Sequence, residues 1–478
     1  MLDFERLPQY RENNRIEAKK ALGGLPSSIW ETYSAFANTM GGYILLGVEE
    51  QKDKSFRAVD LPDPDDLIRE FWELVNKPNK ASVNILSAND VFTQIVDGCH
   101  IVVIHVPRAE RTYQPIYLDG NPFCAYRRNG EGDYKCTADE CKAMLRDASV
   151  RSQDMKVLEE MELSVLNAES LSDYRQRMKL SRPAHIWESL EDEEFLMRLG
   201  AAGIGSDGRK HPTAAGLLMF GNEYDIVREF GSYFLDFQVR DTADARMTDR
   251  ICSSSGDWSG NVYDFYFRVC SRLTQDIPSQ DGIQGENTPV HLALREALAN
   301  CLVHADYYGQ QGVVITKTSR LLTFSNPGGF RIELDAAKNG GISDPRNSTI
   351  LKMFNFIDIG ERTGGGIPNI FHVWRENGWT EPQFTELPNR ILLTLHLEKI
   401  DNRRSAVNIG DKNAAIKERI KASIVQYLTD NPSGKCSEIA DYLGIGSSRT
   451  RDYLLELTEE GVVTADDSSK SHVYRLKY

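Results

Sequence analysis

Apolar positions recur along the chain with two periods, and the switches between them mark out its elements. Between Ser27 and Thr39, the residues Ile29, Trp30, Tyr33, Phe36 and Ala37 fall at helical spacing behind two serines able to cap a first turn. Gly41-Gly42 ends that pattern, and Tyr43 to Val48 follows as a nearly unbroken apolar run of strand length. A second helix is predicted over 65–75. Segments 91–95 and 100–106 read as strands, with Asp97-Gly98 between them as a hairpin turn. Another hairpin is predicted where Phe123-Cys-Ala-Tyr-Arg-Arg runs into Asn129-Gly130. From 149 to 285 the pattern is less regular. Polar helical segments surround 191–199, the run Thr213–Gly221 reads as a helix leading into a strand, and Tyr233–Val239 alternates as a strand does.

Residues 286–400 form another α/β unit rich in glycine turns, and 401–412 is a polar linker. Beyond it Ile416, Ile420 and Ile424 recur every fourth residue, and Ile439 and Leu443 form a second apolar face. Ser447 can cap a third helix that turns Tyr453, Leu454 and Leu457 inward, and two short strands close the chain. The fold class expected is therefore α/β (α+β) and multidomain, with segments at 1–148, 149–285, 286–400 and 413–478.

Composition narrows this picture. A chain of 478 residues suits about three domains of ~150 residues. Its 41% hydrophobic and 26% charged content excludes a disordered or collagen-like chain. No apolar run approaches the ~18 residues of a membrane span, and the first residues lack a basic region followed by an apolar core. A soluble, cytoplasmic protein without a membrane partner is expected. The net charge of −14 argues against indiscriminate coating of nucleic acid but allows a local basic surface. Eight cysteines without a CxxC pair fit free structural thiols in a reducing compartment.

The sharpest chemistry lies in Arg295–Gly309. Glu296, Asn300 and His304 are four residues apart and share one helix face, while Val290, Leu294, Ala297, Leu298 and Cys301 form the packing stripe. An amide oxygen beside a carboxylate suits Mg²⁺, which takes hard oxygen ligands and keeps several waters. For His304, capping or a polar core contact competes with a ligand role. Downstream, a strand at 321–325 ends in Asn326-Pro327-Gly328-Gly329. Glycines there let the backbone approach a planar ring, and the Asn326 amide can hydrogen-bond an exocyclic amine. Gly364, Gly365 and Gly366 precede a helix predicted over 367–374, where backbone N–H groups can wrap phosphates. No GxxxxGK[ST] motif occurs, which excludes a P-loop enzyme.

Taken in order, these three segments resemble the GHKL ATP-binding fold, an α/β sandwich, in the divergent branch of bacterial regulators with a helicase-like C-terminal domain. The resemblance implies ATP and Mg²⁺ (or Mn²⁺) as cofactors, with Glu296 as the general base of an ATPase and Asn300 as the metal ligand. It places Asn326 where better-known members use an adenine-binding aspartate, and His304, on the same helix face as Asn300, is carried as a further candidate for nucleotide contact. Gly328 and Gly329 would line the base, and Gly364 to Gly366 would close over the phosphates. Asparagine in place of aspartate is a departure from the family's pattern.

The segments Arg15–Glu50 and Cys124–Gly130 are similar to the signature of the Schlafen AlbA_2 domain. One implication is a nucleic-acid-binding module in which Lys19, Arg127 and Arg128 meet DNA or RNA. The other is a metal-dependent nuclease whose carboxylates are Glu12, Glu17 and Glu50. The tail resembles a winged helix-turn-helix, with Arg449, Thr450 and Arg451 on its recognition helix and Lys470 in its wing. Family analogy also implies a homodimer or higher homo-oligomer. The leading expectation is a regulator whose ATP site controls DNA binding by the outer domains. The alternatives are an ATP-gated nuclease, of the kind used in phage defence, and an ATP-ordered assembly protein.

Overall fold

The computed structural model describes residues 3–77, 79–241, 247–275, 277, 288–360, 364–387, 389–398, 420–421, 424–425, 427–428, 431, 433–443, 447–459, 462–466 and 473–476. The chain is α/β and divides into two compact units, Met1–Lys399 and Ile400–Tyr478.

The first unit begins with a four-stranded sheet in the order Ile16–Lys19, Gly42–Leu46, Cys99–Val106, Val91–Val96, whose first pair is parallel and whose others are antiparallel. Both faces of Cys99–Val106 are covered. Val102, Ile104 and Val106 meet the helices Ile29–Asn38 and Pro64–Val75 through Tyr33, Phe36 and Phe71. Ile101 and Val103 face Leu7, Val48 and Phe56 on the other side. Burial on two faces is why this strand reads as a continuous apolar run rather than an alternating one. Asp97 and Gly98 both take positive φ, +50° and +78°, as a two-residue hairpin requires. The run predicted as one strand over 43–48 is broken at Gly47, φ +82°. A Cβ there would lie 2.8 Å from Leu61 Cγ, so the chain turns and Val48–Glu50 pairs instead with Phe56–Ala58.

A six-stranded sheet follows in the order Met247–Cys252, Leu235–Arg240, Val313–Lys317, Leu321–Pro327, Arg390–His396, Gln383–Leu387. Leu235–Arg240 runs parallel to Val313–Lys317, and all other neighbours are antiparallel. The sheet crosses the boundary expected at 285/286. Phe237 and Tyr263 from one side share a single core with Leu298, Ile315, Phe324 and Leu393 from the other. Segments 149–285 and 286–400 therefore do not have separate cores.

The run Thr213–Gly221 is the helix Ala214–Phe220, capped by the Thr213 side chain, and a second helix, Glu223–Glu229, replaces the strand expected after it. All seven residues of the first helix are buried, so its sequence has no polar face to betray its period.

The second unit holds the helices Cys436–Leu443 and Ser447–Glu459 and a three-stranded sheet in the order Gly434–Lys435, Val473–Leu476, Val463–Asp466. Ile424, Ile439, Tyr453, Leu454 and Leu457 build its core, as the periodicity predicts. The cysteines are not joined in disulfides. Among the described residues, no helix is long and apolar enough to cross a membrane.

Candidate functional site

The site is organised by the helix Pro289–Val303. The Thr288 side chain accepts from the His291 N–H at 3.3 Å, and Pro289 occupies the first turn, where no N–H partner is lost. The predicted packing stripe of Val290, Leu294, Ala297, Leu298 and Cys301 is buried. At the far end, Asn347 Nδ2 donates to the carbonyls of Val303 and Ala305 at 2.9 and 2.8 Å, and Arg346 Nη1 donates to that of His304. Carbonyls that a helix leaves unpaired are thus held by the neighbouring loop.

Beside this helix lies a cavity of about 90 Å³. Asn300 and His304 reach it from one stretch of sequence and Asn326 and Gly329 from another, and Phe324 and Ile370 are among its apolar walls. Asn300 Nδ2 donates to Glu296 Oε1 at 3.2 Å. Glu296 itself lines a second, broader cleft of about 660 Å³ together with Arg295, Gly365 and Gly366. The Asn300–Glu296 bond therefore joins the two spaces.

Gly366 begins the helix Gly366–Glu376, and a Cβ on it would come within 2.1 Å of Glu296 Oε1. Gly365 is the N-cap, and Gly364, φ +73°, passes so close to Ile342 that a Cβ would lie 2.7 Å from its carbonyl. Gly328 does not have the place expected of it. Its φ is +96°, and a Cβ would lie 2.6 Å from Arg346 Nη1, so it makes room for that arginine, whereas Gly329 lines the cavity.

Electrostatics separate the polar groups of the cavity. Burial, with the positive charges of Arg346 and Arg331, pushes the His304 pKa down to about 4, so its imidazole is neutral at physiological pH. Asn326 is 7% exposed, and its Nδ2 has no hydrogen-bond partner. A buried unpartnered amide on the wall of an apolar cavity fits a ligand with polar edges, and a purine base has that chemistry. For a divalent cation the protein offers less. Among the described residues, no three His, Cys, Asp or Glu side chains converge to hold a metal ion. Any Mg²⁺ here would take most of its shell from phosphate and water.

Sequence reasoning missed the ring of charge behind the cavity. Arg346 Nε and Nη2 donate to Asp147 at 2.9 and 2.7 Å, and Nη2 also reaches the Gly329 carbonyl at 3.1 Å. Arg331, another lining residue, donates to the Pro345 carbonyl at 2.9 Å and lies 3.5 Å from Asp344. Asp344 also binds Arg111 at 2.5 Å, while Arg108 donates to the Phe330 carbonyl at 2.6 Å and Arg146 to Asp306 at 2.7 Å. These bonds tie residues 108–147 to the cavity's loops. The only signal in the chain was an arginine and an asparagine behind Asp344-Pro345, between two glycine turns.

The N-terminal candidates divide. Arg128 is buried, 4% exposed, and lies 2.8 Å from Glu17 and 2.9 Å from Asp133; it also donates to the carbonyls of Asn13 and Ile16. It locks the fold and does not reach for nucleic acid. This corrects the expectation from its hairpin position. Arg127, paired with Glu140 at 3.1 Å, keeps its side chain 34% exposed. Lys19 lies 2.9 Å from Glu17, and Glu50 lies 3.2 Å from Lys54. The Glu12 carboxyl is raised by burial and by the nearby charges of Glu17 and Glu50. Glu12 thus lies near the other two carboxylates, but the three do not form a metal cluster.

In the second unit Arg449, Thr450 and Arg451 begin the helix Ser447–Glu459. Arg451 is exposed, while Thr450 is fully buried, which corrects its assignment as a contact residue. Thr450 lies four residues before Leu454 and seven before Leu457, so it shares their inward face. Lys470, in the expected wing, and the whole of the expected linker 401–412 lie outside the described residues.

Comparison with known families gives four matches. Residues 12–137 match the family described as "Schlafen, AlbA_2", and residues 312–395 match "Putative ATP-dependent DNA helicase recG C-terminal". Residues 142–236 match a domain of unknown function, DUF8451, and residues 420–470 match "FaeA-like protein". A search of curated proteins gives no match. Among solved structures, the DIP2311 protein from Corynebacterium diphtheriae is 17% identical, covers 97% of this chain and 92% of its own, and has a TM-score of 0.41. The N-terminal domain of a putative ATP-dependent DNA helicase RecG-related protein from Nitrosomonas europaea is 34% identical over 28% of this chain and 90% of its own, with a TM-score of 0.21. The Zalpha domain of Carassius auratus PKZ, solved with Z-DNA, is 21% identical over 13% of this chain and 98% of its own, with a TM-score of 0.13. The chain thus joins a Schlafen AlbA_2 domain to a RecG C-terminal domain of the HATPase type.

Proposed function

We propose that the chain is a nucleic-acid-binding regulator controlled by a purine nucleoside triphosphate, ATP with Mg²⁺ in the first instance, in the cavity beside the helix Pro289–Val303. The observation that carries this reading is the convergence of Asn300 and His304 from one stretch, Asn326 and Gly329 from a second, and Ile370 from a third on one largely apolar space. Asn300 is then the side chain nearest the phosphates and their Mg²⁺, and Glu296, hydrogen-bonded to it, is placed to orient water. The glycine turn 364–366 adjoins Glu296, so phosphates there would be held by backbone rather than by side chains.

The bonds from Arg108, Arg111, Arg146 and Asp147 to the cavity's loops give the nucleotide state a route to the AlbA_2 domain. Arg127 and Arg451 are the cationic side chains proposed to meet nucleic acid.

Calorimetry with ATP and Mg²⁺, followed by gel retardation of DNA and RNA with and without nucleotide, tests this. Asn300→Ala is expected to weaken nucleotide binding at least tenfold and to abolish the nucleotide dependence of retardation. Wild-type protein that binds no ATP, or retardation indifferent to it, would sink the proposal. Light scattering of the same samples reads the proposed homodimer.

A metal-dependent nuclease at Glu12, Glu17 and Glu50 is the second reading, favoured by the charges of Glu17 and Glu50 near the Glu12 carboxyl. Glu17 is a poor test of it, because that residue holds the buried Arg128. Glu12→Gln avoids the problem. Cleavage with Mn²⁺ that survives this substitution would rule the reading out.

A further inference from the structure

We infer that the cavity accepts 6-oxopurine as well as 6-aminopurine nucleotides, because the buried polar side chain on its wall is an unanchored amide. The inference rests on the nucleotide reading above and deepens it by naming the range of bases.

Three observations support it. Asn326 is more than nine-tenths buried, the penultimate residue of the strand Leu321–Pro327, and lines the cavity. Its Nδ2 has no partner, and no hydrogen bond to its Oδ1 is found among the described residues. The backbone around it is fixed by pairing with Ile391, so the side chain stays on the wall whichever way its amide points. An amide presents an acceptor on one side and a donor on the other, and a half-turn about its terminal bond exchanges them. Where protein neighbours hold the amide, that exchange costs hydrogen bonds. Here it breaks none.

The consequence follows from complementarity. A 6-amino group donates and a 6-oxo group accepts. A carboxylate at this position accepts only, so it would pair with the amine and oppose the carbonyl with a second acceptor. A site of fixed sign can reject the wrong partner by factors of about 10⁴, because a buried polar group is then left unpaired. An amide free to turn satisfies either group. The other uncharged polar ring on the wall behaves alike: a neutral imidazole at His304 donates or accepts according to its tautomer. Position 1 of the ring also differs in sign between the two base classes, and such a group can meet both.

The probe pair is ATP and inosine triphosphate, which differ in the hydrogen-bonding edge at positions 1 and 6 and share everything else. Calorimetry on the full chain with Mg²⁺ is expected to give Kd values within about tenfold of each other. Asn326→Asp is expected to move the ratio at least tenfold further towards ATP. A wild-type ratio above tenfold, or a ratio unmoved by Asn326→Asp, overturns the inference. Should Asn326→Asp fail to fold, Asn326→Ala decides: equal weakening of both nucleotides supports the shared contact, and loss for ATP alone refutes it. If neither triphosphate binds the wild-type chain, the nucleotide reading itself fails. If ATP binds tightly and inosine triphosphate does not, only the inference about the base fails.

Discussion

Arg346 grips Asp147 through two parallel hydrogen bonds, 2.9 and 2.7 Å, and with the same guanidinium holds the carbonyls of His304 and Gly329. One side chain thus ties Asp147, ten residues beyond the AlbA_2 match, to two residues that line the candidate nucleotide cavity. Arg346 is 4% exposed, so its geometry is fixed by what surrounds it rather than by solvent.

Arg346→Met is expected to destabilise the first unit by about 3–5 kcal/mol, because it leaves Asp147 charged and without its partner. Asp147→Asn keeps the shape and should cost less, about 1–3 kcal/mol. Midpoints of urea unfolding measure both. Burial works against the Asp147 carboxylate, but Arg346, with Arg331 and Arg146, holds its pKa below the usual value. A depressed carboxyl stabilises above its unfolded pKa of about 3.9, and that stability is lost as pH falls through the folded value. The acid-unfolding midpoint of Arg346→Met should therefore lie at higher pH than that of the wild type.

Arg127 and Arg128 are neighbours in sequence and opposites in consequence. Arg128→Ala leaves Glu17 and Asp133 without their shared cation and is expected to cost about 3–5 kcal/mol. Arg127→Ala removes one partly exposed pair and should cost below about 1 kcal/mol while weakening nucleic-acid retention. Thermal melts and salt-dependent retardation separate the two roles. Equal melting temperatures for both variants would contradict the burial of Arg128.

Gly366→Ala places a methyl group against the Glu296 carboxylate, the far end of a side chain that can swing away. The expected outcome is little change in stability, within about 1 kcal/mol, and a loss of the Asn300–Glu296 hydrogen bond. Nucleotide turnover, where wild type shows it, should fall in Gly366→Ala to the level of Glu296→Gln. A double variant no worse than either single one would show that both act through the same contact.

His304 supplies a pH dependence of known sign. Its pKa is pushed from 6.5 down to about 4 by burial and by Arg346 and Arg331, so between those values the unfolded chain binds a proton that the folded one refuses. Stability should therefore fall as pH drops from 6.5 towards 4, by on the order of 1 kcal/mol per unit. Denaturant titrations at several pH values, compared with His304→Asn, should show a shallower slope for the variant. Nucleotide affinity, by contrast, should lose nothing to His304 titration between pH 8 and 5.

Much of the candidate site was legible because helices and turns print themselves on sequence. Three polar residues at four-residue spacing mark one face of the helix Pro289–Val303, and the glycines at 328–329 and 364–366 mark close approaches of backbone. Which close approach each glycine serves was not legible. Gly328 yields to Arg346 and Gly366 to Glu296, and both partners come from distant positions. The seven buried residues of Ala214–Phe220 hid a helix boundary for a related reason, since an element buried on all sides carries no polar phase.

By itself the sequence determined the local elements, the α/β class and the face shared by Glu296, Asn300 and His304, because these depend on spacings of a few residues. Only the tertiary structure decided what each side chain meets. It sent Arg128 into the core while leaving Arg127 partly outside, ran one sheet across the boundary drawn at 285, and set Asp147 against Arg346, 199 residues away. The physical reason is that burial and ion pairing arise where distant segments pack, and the cost of an unpaired buried charge then selects the partner.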